Sequence, residues 1–511
     1  MALVSDVKTK EKAVAQADAV RFALGILLSA LSGILLLVSF PPYGLWPLAW
    51  VALVPALFAQ YRLLPRKWSS LATALYALLW LGPFLARLFE NEAGPFFKYL
   101  GVLIALIQLF LATDRSFHEA TRFRWFILFG VAGWVGFEMI RATFIPLIAT
   151  SAFIGYTQAT QAWLIQPVSI FSVYGLNLVI LFFNYTLAQG AIAWYDSKFQ
   201  VADVIRVDGQ PTLRWLAVTG AITVLWIGIS LVMLNTAPKN VPTVRVAALQ
   251  SGYPLPAFQD TANPAGVRFE TFAQQARQAA QQGAKILFSS EMMFDFDPQQ
   301  EFTQEFKALA KETDAYIFIT YAIAREGEPF RNQAVLLSPS GEFSEVYSKN
   351  HLPPGEPASP VTGVYPVFDT PPGRLATLIC HDANYTDVSR KLTRNGAQLI
   401  AAPYREFGGY GEQLWTTVTF RAVENHAAMV VTGAATVATI IDPYGRQVAL
   451  EFSQEDSQVT LVGDVPLGSG NTPTLYLGDW LGWISLAAYI FFTVLQITLQ
   501  RRAKKAATIV M

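Results

Sequence analysis

Apolar residues in this chain collect into runs long enough to cross a bilayer, and the runs are unevenly placed. Seven fall early, near 22–40, 44–60, 70–89, 97–113, 126–145, 165–194 and 214–235, and one more lies near 479–499 after a long mixed segment. A helix rises about 1.5 Å per residue and the hydrocarbon layer is roughly 30 Å thick, so about 20 apolar residues make a span. The pattern predicts an α-helical membrane bundle of about eight spans, the second and fourth being the shortest runs. Residues 1–240 would hold seven spans, 241–475 an α/β domain outside the bilayer, and 476–511 the last span with a basic tail. Charged residues make up 14% of the chain, against about 25% in soluble proteins, which excludes a disordered chain. Lys+Arg and Asp+Glu are both 37, so nothing suggests a nucleic-acid partner.

The first run follows Lys8, Lys10, Lys12 and Arg21, as a signal peptide would. However, Ser39-Phe40-Pro41-Pro42 succeeds it where a small-x-small cleavage site would stand, and another run begins at once. It reads as a retained helix. Orientation follows from the basic residues in short loops. The N-terminal tail, the 61–69 loop (Arg62, Arg66, Lys67), the 114–125 loop (Arg115, Arg122, Arg124), the 195–214 loop (Lys198, Arg206, Arg214) and the C-terminal tail (Arg501, Arg502, Lys504, Lys505) are basic. The alternate loops hold little beyond Lys98. Both termini are therefore expected in the cytoplasm and segment 236–478 on the outer face.

Two features exceed a plain anchor. Glu138 and Arg141, at i and i+3 in the fifth span, share a helical face and can pair. Ionisable residues in a span are costly and often functional, although a structural ion pair explains them equally well. Residues 142–195 hold no charged side chain. The stretch 146–164 is either a loop lying in the interface that admits lipid or one that covers the bundle.

The outer segment alternates strands and helices. Strands are expected at 244–250, 285–290, 315–322, 332–337, 343–347, 374–379, 398–402, 428–432, 438–441 and 447–451, and helices at 269–282, 302–313, 388–395 and 412–426. Such alternation makes a layered α/β domain.

The single cysteine, Cys380, excludes an internal disulfide and a Cys-based zinc site. His118, His351, His381 and His426 are too few for a metal cluster, and no cofactor is implied. Cys380 ends an apolar strand and precedes the polar turn His381-Asp382-Ala383-Asn384. A thiol there is either a small buried hydrophobe or a nucleophile, which needs a base or a cation to become thiolate. Glu291 and Lys349 also follow strands, and sites in parallel sheets gather at strand carboxyl ends. A papain-like Cys-His-Asp reading fails because three adjacent residues cannot all point at one reacting atom.

The order Glu291, Lys349, Cys380 resembles the nitrilase (carbon–nitrogen hydrolase) superfamily. With seven spans before and one after, the chain resembles the bacterial apolipoprotein N-acyltransferases. Phe40-Pro41-Pro42-Tyr43-Gly44-Leu45-Trp46-Pro47, Glu138-Met139-Ile140-Arg141, Val173-Tyr174-Gly175-Leu176-Asn177, Lys349-Asn350-His351-Leu352-Pro353 with Gly355-Glu356, and Arg421-Ala422-Val423-Glu424 carry the likeness. The resemblance implies a four-layer αββα sandwich beside the bundle. It implies Glu291 as general base, Lys349 as oxyanion stabiliser, Cys380 as the acylated nucleophile and Glu356 as a supporting carboxylate. It further implies a phospholipid acyl donor, a diacylglyceryl-modified apolipoprotein as acceptor, and a place in the bacterial inner membrane. No oligomerisation signal is evident, so a monomer is expected.

Four positions depart from the family pattern: Ser289-Ser290 before the glutamate, His381-Asp382 after the cysteine, the segment Ala401-Ala402-Pro403-Tyr404-Arg405-Glu406-Phe407, and a shortened stretch between Lys349 and Cys380. His381, Asp382 and Tyr404, with Glu138 and Arg141, are thus candidates for substrate or structural roles. A membrane-tethered amidase with the same triad, and a non-catalytic lipid-binding relative, are the competing readings.

Overall fold

The computed structural model describes residues 2–88, 99–111, 114–145, 149–199, 204–353, 356–357, 363–405, 408–434, 437–453 and 457–510. Lys98, Gly355, Glu406 and Phe407 of the sequence reading lie outside the described residues. Chain contacts separate two compact units, one of residues 1–139, 177–225 and 482–511, the other of residues 140–176 and 226–481.

Among the described residues, six helices are long and apolar enough to cross a membrane: Gln16–Ser39, Arg66–Arg87, Phe126–Phe144, Val168–Lys198, Gly209–Thr236 and Trp480–Arg502. Two of the expected runs take another form. The run 44–60 breaks into a 3-10 turn at Trp46–Trp50, a short α-helix at Val54–Phe58 and a π-turn at Ala59–Leu63. Pro47 and Pro55 cause this. Proline has no N–H to give and is tolerated in a first helical turn, so each begins a new piece. The run 97–113 yields a helix at Leu100–Leu111, only about 18 Å long at 1.5 Å per residue.

Inside the first unit, polar groups satisfy the broken backbone. Arg115 Nη1 donates to the carbonyls of Gln60 and Leu64 at 2.6 and 2.8 Å. Arg62 holds Asp196 through two 2.6 Å contacts. Backbone carbonyls without water need such donors. Glu138 accepts from Trp134 Nε1 at 3.0 Å and Asn177 Nδ2 at 2.7 Å.

The second unit contains two six-stranded sheets. The first is made of β1 (Thr243–Gln250), β2 (Ile286–Ser289), β3 (Tyr316–Ile323), β4 (Arg331–Leu337) and β5 (Tyr347–Ser348). The second is made of β6 (Phe368–Thr370), β7 (Gly373–Thr377), β8 (Leu399–Tyr404), β9 (Ala428–Gly433), β10 (Val437–Ile441) and β11 (Gln447–Phe452). The remaining strand, β12 (Val459–Pro466), returns to pair antiparallel with β1. The orders are β12-β1-β2-β3-β4-β5 and β11-β10-β9-β8-β7-β6. Each has a parallel centre, β1-β2-β3 and β7-β8-β9.

Strand alternation assigns the faces. Val246, Ala248, Ile286, Phe288 and Phe318 meet Leu399, Ala401, Val430 and Ile440 of the other sheet in one buried cluster. On the opposite face of the first sheet, Ala247, Leu249, Leu287, Ile317 and Ile319 pack with Phe272, Ala276, Phe306 and Leu309 of helices Ala265–Gln281 and Thr303–Thr313. Helices Thr386–Arg394 and Gly408–Asn425 cover the second sheet. The result is the expected αββα order of layers.

The strand expected at 343–347 narrows to Tyr347–Ser348, with a single bridge between Phe343 and Leu337. Ser344 explains it, because its Oγ accepts the Leu336 N–H at 2.9 Å in place of a main-chain carbonyl. Strands β6 and β12 lacked an apolar signal, being short or partly exposed.

Phe306 is fully buried against Phe269, Phe272 and Phe294, with ring centroids at 4.9, 6.4 and 5.3 Å. Phe306→Ala is expected to destabilise the second unit by about 3–5 kcal/mol through lost burial and a residual cavity. Thermal unfolding of the detergent-solubilised chain checks this.

Candidate active site

Three strand ends converge. Past β2, Ser289 Oγ accepts the Thr320 N–H at 2.9 Å. Glu291 follows, 1% exposed, with Met292 held at a left-handed φ of 54°. Beyond β5 comes Lys349, whose N–H bonds the Asn332 carbonyl at 3.0 Å. After β7, Leu378 N–H bonds the Ala401 carbonyl at 3.0 Å, and the chain turns into a 3-10 helix at Cys380–Asn384. Cys380 begins that turn at φ 49°. A non-glycine residue there costs about 1–3 kcal/mol and persists only where its surroundings fix it.

The charged groups meet directly. Lys349 Nζ lies 3.0 Å from Glu291 Oε1 and 2.6 Å from Glu356 Oε2. Asn332 Nδ2 spans the same two carboxylates at 2.8 and 3.0 Å. Arg405 N–H donates to Glu291 Oε2 at 2.9 Å. Burial alone would push the Glu291 carboxyl up, but Lys349, the Asn332 amide and Arg405 outweigh it and hold the carboxyl below its usual range. Burial likewise works against the Lys349 ammonium, yet the negative charges of Cys380, Glu291 and Glu356 raise it well above the ordinary value. The cluster is thus a fixed cation between carboxylates. Glu291 and Lys349 come from one sheet and Cys380 from the other. Cys380 is 1% exposed.

The other predicted residues have structural surroundings. Asp382 is fully buried and accepts from Tyr347 Oη at 2.6 Å and from the N–H groups of Ile379, His351 and Asn350 at 3.0, 2.8 and 3.1 Å. It ties the chain beyond Lys349 to the Cys380 turn. Burial raises its pKa despite those donors. His381 Nδ1 contacts Asn384 Nδ2 at 3.1 Å. The Tyr404 hydroxyl is buried against the Gly411 carbonyl at 3.3 Å. Arg141 donates to the Ser151 carbonyl and lies over the Phe153 ring. Residues 149–159 are buried, Thr160 is exposed, and Gln161, Ala162 and Trp163 are partly exposed. Among the described residues, no group of three or more His, Cys, Asp or Glu side chains is placed to hold a metal ion.

Sequence reasoning missed Asn332 and Tyr347, which look like ordinary strand residues. The charged pair Arg421 and Glu424, three apart in an otherwise weakly charged helix, was visible, but its role was not. Arg421 is fully buried, donates from Nε to the Ala383 carbonyl at 3.1 Å, and is ion-paired with Glu424.

Two family models match the chain. The apolipoprotein N-acyltransferase N-terminal domain matches residues 32–186 and the carbon–nitrogen hydrolase model matches residues 245–471. Both halves of the chain thus match the architecture of the apolipoprotein N-acyltransferases. A relative in Geobacter metallireducens named apolipoprotein N-acyltransferase is 27% identical over 90% of this chain and 93% of its own length. A deaminated glutathione amidase of Bos taurus is 25% identical over 42% of this chain and 77% of that protein. Among solved structures, an amidase from Nesterenkonia sp. is 20% identical with a TM-score of 0.38, covering 45% of this chain and 94% of that one.

Replacing Lys349 by methionine keeps volume and removes the cation. The uncompensated buried carboxylates should destabilise the second unit by about 3–5 kcal/mol at neutral pH. The sign with pH is fixed. Without its nearest cation, buried Glu291 has a raised folded-state pKa, so the folded state binds protons preferentially and the deficit shrinks as pH falls. Thermal melts of Lys349→Met across an acidic series check both.

Proposed function

We infer that the chain is a lipoprotein N-acyltransferase of the bacterial inner membrane, and that Glu291, Lys349 and Cys380 carry the reaction. The match to both halves of the family's architecture, with the Lys349 cation seated between Glu291 and Glu356, is what supports this reading. The substrates are a lipid acyl donor and a lipoprotein acceptor.

In the first half-reaction Glu291 accepts the Cys380 proton, and the thiolate attacks the acyl carbonyl of a phospholipid. The tetrahedral oxyanion forms beside the Lys349 ammonium, which supplies electrostatic stabilisation in a water-poor site. The C–O bond breaks, and lysophospholipid leaves with the proton returned by Glu291. In the second half-reaction the α-amine of the diacylglyceryl-modified N-terminal cysteine attacks the thioester. Its proton passes to Glu291 and on to the departing Cys380 sulfur as the C–S bond breaks, and an amide forms. A thioester yields to an amine where the parent ester does not, which is the gain of covalent catalysis. Burial of Cys380 excludes water and favours transfer over hydrolysis. The Glu291 carboxyl, held low, enters the reaction ionised at neutral pH.

The loop charges support an orientation with the second unit on the outer face and both termini in the cytoplasm. A membrane-tethered amidase would use the same three residues, but the N-terminal match to an acyltransferase domain favours transfer.

Incubation of the purified chain with phospholipid vesicles should add one acyl mass to the intact protein, and Cys380→Ala should show none. Cys380→Ala that still supports growth of a bacterium lacking lipoprotein N-acylation would overturn the reading.

A further inference from the structure

The turn that carries Cys380 ends in carbonyls that a five-residue 3-10 helix cannot satisfy within itself. Two of them are bound from outside. Arg421 Nε donates to Ala383 at 3.1 Å, and Thr150 Oγ1 donates to Asn384 at 2.7 Å. Thr150 has one hydroxyl proton and gives it to Asn384, so it must accept elsewhere. It accepts from Tyr156 Oη at 2.9 Å. Tyr156 in turn accepts from Arg421 Nη2 at 2.5 Å. A guanidinium only donates, so two arms leave Arg421 and end on the turn: one passes through Tyr156 and Thr150 to the Asn384 carbonyl, the other goes directly to the Ala383 carbonyl, and the backbone between those two residues closes the ring.

The ring is sealed. Thr150, Tyr156, Asn384 and Arg421 are all buried. The Tyr156 ring lies edge-on to Phe420 at 5.1 Å and stacked with Phe153 at 5.8 Å. Burial, against the pull of Arg421, moves the Tyr156 hydroxyl up to about 12, so it keeps its proton. Glu424 pairs with Arg421 and accepts the Val173 N–H at 2.8 Å, fixing the guanidinium from its other side.

We propose that Thr150 and Tyr156 are positioning residues for Cys380, holding the nucleophile turn in its left-handed start through this closed ring. The stretch between two spans thus serves the chemistry without touching substrate. Its buried hydroxyls explain why a charge-free segment carries polar side chains inward. Buried networks of this kind are strengthened by their neighbours and lose much when one member is removed. The proposal deepens the acyl-transfer reading and rests on it for its consequence.

The lone cysteine makes the test clean. The full chain in detergent is alkylated with iodoacetamide at one fixed pH, the rate is followed by intact mass, and unfolding temperature is measured in parallel. Thr150→Val should react roughly five- to tenfold more slowly, the cost of one buried hydrogen bond. Tyr156→Phe should do the same, and Thr150→Ser should restore the rate. A Thr150→Val rate equal to the parent's, or a Thr150→Ser rate as slow as that of valine, would overturn the proposal, the second outcome assigning the effect to the methyl group. Iodoacetamide carries no acyl chain, so this result stands apart from the acyl-transfer reading, which fails only if Cys380→Ala still acylates.

Discussion

The interaction on which the site depends is a buried ammonium shared by two carboxylates. Lys349, Glu291 and Glu356 would each be expensive in a protein interior alone. Together, with the Asn332 amide spanning the carboxylates, they form a satisfied cluster whose charges stay fixed. The rest of the second unit can be read as its support. Parallel strands β2 and β7 run out toward Glu291 and Cys380, the antiparallel edge strand β5 runs out to Lys349, and Asp382 gathers four donors to join the segment after Lys349 to the turn of Cys380.

The chemistry was legible because it sits on punctuation. Glu291, Lys349 and Cys380 each follow a strand marked by apolar alternation, and the strand ends could be read from a single chain. The αββα layering followed from alternating elements and from the family likeness. Asn332 was hidden because nothing local distinguishes a polar strand residue whose partner is forty residues away. The loop of residues 149–159 was read from its missing charges alone, yet Thr150 and Tyr156 owe their meaning to carbonyls more than 200 residues downstream. Run lengths hid local breaks in the same way. Composition saw apolar residues at 44–60, while Pro47 and Pro55 decided how far any helix there could extend.

The departures from the family pattern also find physical explanations. Asp382 is positioned as a hub for the Tyr347 hydroxyl and three backbone N–H groups, so its short side chain suits a fully enclosed place. Ser289 lends its oxygen to the Thr320 backbone. Arg405 supplies its N–H and its charge to Glu291. The substitutions around Glu291, Lys349 and Cys380 thus keep the cluster closed.

One consequence follows from the division of the site between the sheets. The carboxylate and ammonium belong to one slab and the sulfur to the other, with Phe288, Phe318, Leu399 and Val430 as the filling between. The thickness of that filling therefore sets the gap between the carboxylate and the sulfur. A lineage free to exchange its interior apolar residues would drift in turnover long before it drifted in fold, since packed interiors tolerate volume-preserving swaps while reacting atoms do not tolerate even about 1 Å of displacement.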